Sequence, residues 1–507
     1  MLAQLERVEN QWSQPRRVRI GIAVAASVVL LAAVLVRARP VNPPPQPELE
    51  LAVLPVVGNS SDTEATELTT ALGAEIAARV VGLGRVRLVR VKGDTVANAS
   101  SHPGLHFLRL RVERENNRPV VAITLERPGT EGVIWSERRT FDRRELRELG
   151  RDVVVGVLQG LGRPVTERER AIIGNGFPSS AEAYEEFLHA NRLMSLRTPG
   201  ALEQALVRYR RASQLDSMFA GALARQSYAY ALLVDWGWKP SRAFPADPLA
   251  EGLHLADRAT QLDSTSAEAW LARAYNLAMR DPHRFRGAAE AFQHAITLDP
   301  YNAEAFHQYG QTLMVLGRYS EAMAAYRRVL DLEPDRAMTL VPMAVIYKKQ
   351  GRPADGLRLL DSAVSAAPRV AYARAIRSYH RAQLGQVEGA RHDADTALAL
   401  DSNFRIPALG ALAKAEWLLG DTAAAKRHIA DAERAIAVPG TPTPTEAYMI
   451  SQALVTAGRF DRAIAHLRGA RPRGAWLWFL FTNPDLERFR AMPEAAAILA
   501  EADPRTP

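Results

Sequence analysis

Three stretches of this chain repeat one pattern of apolar and polar positions at a fixed distance. "GRYSEAMAAYRRVLDLEP" (317–334), "GRPADGLRLLDSAVSAAP" (351–368) and the fainter "GQVEGARHDADTALALDS" from Gly385 each open on Gly and space their apolar residues three and four apart. That spacing predicts one amphipathic helix per copy, and the Gly and Pro of the first two copies both advance by 34 residues. Nearer the amino terminus the texture alternates instead. "ELAVLPVV" reads as a buried strand, and Leu68, Leu72, Ile76 and Val80 then form one stripe of a helix. "RVRLVRV" alternates as a half-buried strand does. "LHFLRLRVER", "PVVAITLER" and "GVIWSERRTF" predict a three-stranded meander with "NNRP" and "PGTEG" as turns, and a helix through Leu146, Leu149 and Val153 closes the unit near Gly162.

The 34-residue period is that of tetratricopeptide repeats, and the copy beginning at Ala303 carries most of their pattern. Phe306, Tyr309, Gly310 and Leu313 occupy its first helix, and Ala322, Tyr326 and Pro334 its second. Gly310 and Ala322 fall where two antiparallel helices must touch, Phe306 and Tyr326 fill the space beside them, and Pro334 ends the second helix. Ala344, Tyr347 and Pro368 mark the following copy, and Trp270, Phe292, Ala295 and Pro300 the preceding one. Tyr184, Ala205, Tyr209 and Ala212 mark a weaker unit near Ala181. Seven to eight repeats are expected over 178–470, because one hairpin cannot bury its apolar face alone. The fold class is therefore mainly α, a tetratricopeptide α-solenoid preceded by a single transmembrane helix and a small α/β domain.

That small domain, expected over 50–162, resembles the TolB amino-terminal-like domain in Val53, Leu54, Pro55, Asn59, Ser61, Asp62, the Leu-striped helix and "WSERRTF". The resemblance implies a bacterial membrane-anchored signalling or scaffold protein, since such domains often precede a helical repeat array. Between Val91 and Leu105 the pattern is abbreviated to "KGDTVANASSHPG".

The apolar run 20–36, "IGIAVAASVVLLAAVLV", contains no charge and spans about 25 Å as a helix. Its length, the acidic residues before it and the lack of a cleavage site favour an uncleaved anchor over a signal peptide. Arg7, Arg16, Arg17 and Arg19 precede it and Arg37 and Arg39 follow. The expectation is a cytoplasmic tail (1–19), one span in the inner membrane and the bulk of the chain outside the cytoplasm. A Pro-rich linker occupies 37–49, and 471–507 is read as a carboxy-terminal cap.

Composition narrows the chemistry. There is no Cys, which excludes disulfides and thiolate catalysis or ligation. A net charge of +8 comes almost wholly from Arg scattered among acids, only six residues being Lys, so no nucleic acid is expected. His102 and His106 lack a nearby carboxylate and read as surface residues rather than a metal pair. No nucleotide-binding, nucleophile or metal spacing occurs, so neither enzymatic activity nor a cofactor is expected.

The repeats imply a groove for a protein or peptide ligand. Helical geometry puts Glu304, His307, Gln311 and Met314 on the predicted inner stripe of one repeat, and Met338, Val341, Val345 and Lys348, with Lys349 beside it, on the next. These are the candidate partner-binding residues, with two adjacent cations at one end. A carboxylate clamp needs Lys and Asn where the first repeat has Glu185 and His189. Two aromatic stretches, 235–245 and 474–489, are expected to pack on their own hairpin and on the last repeat. The expected function is a membrane-anchored, non-enzymatic interaction or sensor module. An envelope assembly or secretion scaffold and an enzyme with an unrecognised site are the alternatives.

Overall fold

The structure, a computed structural model, describes residues 49–58, 63–83, 86–89, 104–127, 132–196, 198–235, 244–280, 284–334, 336–400, 405–436, 444–470 and 486–501. The apolar run 20–36, the linker up to residue 48 and the abbreviated loop at 90–103 lie outside these residues, and Leu49, expected as the linker's last residue, opens the first strand. Among the described residues no helix is long and apolar enough to cross a membrane.

Strand β1 (Leu49–Val53) runs into helix α1 (Thr63–Gly82), which returns to β2 (Val86–Leu88) parallel to β1. The meander follows as β3 (Leu105–Glu115), β4 (Arg118–Glu126) and β5 (Val133–Thr140). The sheet order is β2-β1-β3-β4-β5, parallel across the first three strands and antiparallel across the last three. Asn116 and Asn117 hold φ of 47° and 64° at the β3–β4 turn, the left-handed conformation a two-residue hairpin needs and asparagine tolerates.

The expected helical stripe is confirmed, with Leu68, Leu72, Ile76 and Val80 all fully buried. Helix α2 (Leu146–Gly160) adds Leu149, Val153 and Val157 to the same core. It lies so close to β5 that a Cβ on Gly156 would come within 2.3 Å of the Trp135 ring. Two expectations need correction. β1 stops at Val53, short of the full "ELAVLPVV", because Pro55 offers no N–H to a ladder, and only an isolated bridge at Val57 follows. His106 is not a surface residue. Its β3 position is 3% exposed, its Nδ1 lies 3.0 Å from the Gly104 carbonyl, and burial lowers its pKa.

Helix α3 (Glu167–Asn175), with a capping box between Thr166 and Glu169, leads into the hairpins. These pair α4 (Ala181–Ser195) with α5 (Pro199–Leu215), and α6 (Ala220–Asp235) with α7 (Pro248–Leu262). Next come α8 (Ala267–Arg280) with α9 (Phe285–Leu298), and α10 (Ala303–Val315) with α11 (Tyr319–Leu332). Then α12 (Leu340–Lys349) packs on α13 (Pro353–Ala366), and α14 (Ala371–Gln383) on α15 (Val387–Leu400). The last two hairpins are α16 (Arg405–Leu418) with α17 (Thr422–Ile436) and α18 (Pro444–Thr456) with α19 (Phe460–Ala470). Eight hairpins are therefore present among the described residues.

Their repetition has a visible cause. Gly317, Gly351, Gly385, Gly420 and Gly458 end the first helix of the last five hairpins, each with φ between 69° and 84°. Only Gly adopts that region without a Cβ clash, so the turn is fixed by sequence. Within the best copy, Ala322 and Tyr326 are fully buried, and a Cβ on Gly310 would sit 2.7 Å from the Tyr326 ring. One apolar core runs from the sheet through Phe177, Tyr184 and Phe187 into the array. At its far end Phe489 of α20 (Glu487–Arg490) lies 6.4 Å from Phe460 and is buried, and α21 (Pro493–Glu501) follows. Most of the two aromatic stretches lies outside the described residues; Phe244, at the end of the first, packs against the core.

Candidate functional site

A cleft of about 890 Å³ opens where the α/β domain meets the array. One wall is the carboxy-terminal half of α1, Arg87 and Leu88 of β2 with Val89 after them, and α3. The other wall is built from the turns that join one hairpin to the next. Asp263, Glu268 and Leu271 come from the α7–α8 turn and the start of α8, and Asp299, Tyr301 and Glu304 from the α9–α10 turn and the start of α10. Asp331, Glu333 and Arg336 come from the end of α11 and the turn after it, while Arg225 and Tyr228 reach in from α6.

The charges are arranged by wall. On the domain side, Glu75 is buried and paired with Arg79 at 2.8 Å. Arg79 also donates to the Gly176 carbonyl at 2.8 Å and lies 4.0 Å over the Phe177 ring, which ties α1 to the entry of the array. Arg87 pairs with Glu50 at 2.8 Å. On the array side, Arg225 pairs with Glu268, and Arg336 with Glu304 and, at 3.3 Å, with Glu333. Asp263 and Asp299 are in no salt bridge among the described residues, and Asp331 lies in the field of Arg328. Asp263 and Asp299 accept the backbone N–H of Thr265 and Tyr301 at 2.9 and 3.0 Å, which builds the turns. Burial pushes the Asp299 carboxyl up to about 6, with Glu268 adding to the shift.

Of the nine residues expected on the inner stripe, Glu304 alone lines this cleft. It is held by Arg336, by the Tyr228 hydroxyl at 2.8 Å and by the Gln308 amide at 3.0 Å. His307 is buried, its Nδ1 lies 3.4 Å from Thr339 Oγ1, and burial pulls its imidazole down to about 4. Met314 is buried under the Tyr326 hydroxyl, and Val341 and Val345 are buried outright. Gln311, Met338, Lys348 and Lys349 are half-buried, and Lys348 Nζ lies 4.0 Å from the Tyr379 ring centroid rather than simply facing water.

The reason is the tightness of the winding. Tyr228 of α6 reaches Glu304 of α10 past the whole α8 hairpin, and Gln452 of α18 donates to the Tyr379 hydroxyl of α14 in the same way. Side chains that meet two repeats apart leave little groove between them. The cleft residues carried a signal of their own: an acid follows Leu at the end of successive second helices, at 263, 299 and 333. No metal-holding cluster of His, Asp and Glu occurs among the described residues.

The tetratricopeptide-repeat family model matches residues 279–338 and 316–378. The Protein CTR9 homolog of Arabidopsis thaliana is 30% identical over 130 residues, which are 25% of this chain and 12% of that protein, so the chain spans only a small part of this relative. Among solved structures, a thermophilic tetratricopeptide-repeat protein of Thermus thermophilus is 17% identical, over 39% of this chain and 98% of its own, with a TM-score of 0.33. Yeast Tom70 is 14% identical over 71% of this chain and 82% of its own, with a TM-score of 0.41. The period, the left-handed glycines, the small-residue helix contacts and the family match converge on residues 279–378, which carry tetratricopeptide repeats, and the hairpins on either side of them stack in the same way.

Proposed function

We propose that this protein is a non-enzymatic protein–protein interaction scaffold that holds an extended segment of a partner in the cleft between its α/β domain and its repeat array, and that residues 20–36 tether it to a membrane. The observation that carries the first part is the cleft itself. Two parts of the chain wall it, apolar side chains (Leu88, Val89, Leu271) and charged ones share its surface, and its volume lies within the range of ordinary ligand sites. The inner stripe, by contrast, is largely consumed by packing between repeats.

The test places a photo-crosslinking amino acid at Leu88, in the cleft, or at Val207, exposed on α5, and offers the full chain a synthetic random-peptide library. Capture at 88 in clear excess over 207 is expected; equal capture would overturn the reading. The tether rests on the uncharged run 20–36 and its Arg flanks, with the TolB-like resemblance favouring a sensor role. Deleting 1–39 should release the chain from membranes. A phosphatase reporter fused after Pro47 should be active, and activity of a cytoplasm-only reporter there would reverse the orientation.

A further inference from the structure

The cleft also says what kind of segment it takes. Resting on the scaffold reading above, we infer that its occupant is an extended peptide segment bearing Arg or Lys side chains interleaved with aliphatic ones. The array wall presents Asp263 and Asp299 at two successive turns and Asp331 at the end of α11; the first two are in no salt bridge among the described residues, while Arg328 offsets part of the Asp331 charge. Glu268 and Glu304 add two more charges, offset by Arg225 and Arg336, so the wall as a whole remains acidic. Helix dipoles do not change this. Every turn brings the negative end of one helix beside the positive end of the next, and the two largely cancel.

Leu88 at the end of β2 and Val89 just after it line the domain wall, and Leu271 lines the array wall, so aliphatic side chains have somewhere to go between the charges. An acidic segment would meet more carboxylates than guanidiniums on the array wall, and like-charge juxtaposition is costly. The electrostatics also make binding dependent on pH. The groups around Asp299 are Glu268, the Tyr301 and Asn302 ends of its own turn, and the guanidiniums of Arg328 and Arg87 beside Tyr301. Protonating the carboxyl below about 6 removes one of the three charges a cationic ligand would meet.

The experiment measures fluorescence anisotropy of two labelled twelve-residue peptides, one alternating Arg with Leu and one alternating Glu with Leu, against the full chain. The basic peptide should bind at least tenfold more tightly at pH 7, and its affinity should fall severalfold at pH 5. The triple substitution Asp263→Asn, Asp299→Asn, Asp331→Asn keeps an oxygen to accept the turn N–H groups and removes the charge. It should weaken the basic peptide tenfold or more while the helical circular-dichroism signal and melting temperature hold. Charge removal on the exposed outer residues Glu388→Gln and Asp395→Asn should leave binding unchanged. Equal affinity for both peptides, or an unaffected triple variant, overturns the inference. If neutral or acidic library peptides still crosslink at position 88, the scaffold reading survives that failure; if no peptide of any charge does, both fall.

Discussion

Replacing Asp393 by Asn should loosen the carboxy-terminal half of the array more than any surface change. Asp393 sits on α15 with no exposed surface and accepts from three arginines of α14: Arg377 at 2.6 and 2.7 Å, Arg381 at 2.9 Å and Arg374 at 3.3 Å. Asp361 of α13 shares Arg377 and Arg381 at 3.0 and 3.1 Å but is 47% exposed. Removing one partner of a buried pair costs about 3–5 kcal/mol because the other charge stays behind. Here the guanidiniums keep 11–20% exposure and Asp361 as a second anion, which places the expected loss near the low end, about 3 kcal/mol. Asp361→Asn removes only a half-exposed partner and should cost no more than about 1 kcal/mol. Repeat arrays open locally, so the measurement is native-state hydrogen exchange across α13–α15. Asp393→Asn should speed exchange there by roughly two orders of magnitude, Asp361→Asn by less than about tenfold. Similar effects from the two variants would refute the assignment of Asp393 as the buried centre of the network.

Three further outcomes follow from the same structure. Gly310→Ala gains helix propensity but drives a methyl into the Tyr326 ring, so the net change in a urea titration should be a loss of about 1–2 kcal/mol. Gly351→Ala meets nothing within 4 Å, yet its φ of 75° alone should cost about 1 kcal/mol, read from the same titration. Asp235, bonded to the Tyr275 hydroxyl at 2.7 Å, has its carboxyl pushed up to about 6 by burial. The folded state thus holds a proton that the unfolded state releases near pH 4, and stability falls as pH rises from about 4 to 6. Asp235→Asn should therefore raise the melting temperature at pH 7, by the equivalent of about 1–2 kcal/mol, and leave it nearly unchanged at pH 4. A lower melting temperature at pH 7 would show the charge to be stabilising.

The sequence by itself determined whatever depends on local geometry. A Gly every 34 residues dictates a left-handed turn wherever it lies, and Gly310 with Ala322 dictates that two helix axes approach there, because no larger side chain allows it. The stripe Leu68, Leu72, Ile76, Val80 likewise had to face a core. The inner stripe could not be read in this way. Periodicity puts His307 and Val341 on one face of their helices, but whether that face meets water depends on how tightly successive hairpins wind. That winding is summed over many small packing angles between residues far apart in the chain. The cleft was hidden for the same reason. Leu88 and Asp299 are more than two hundred positions apart, and only the docking of the sheet against the hairpin turns makes them opposite walls of one site.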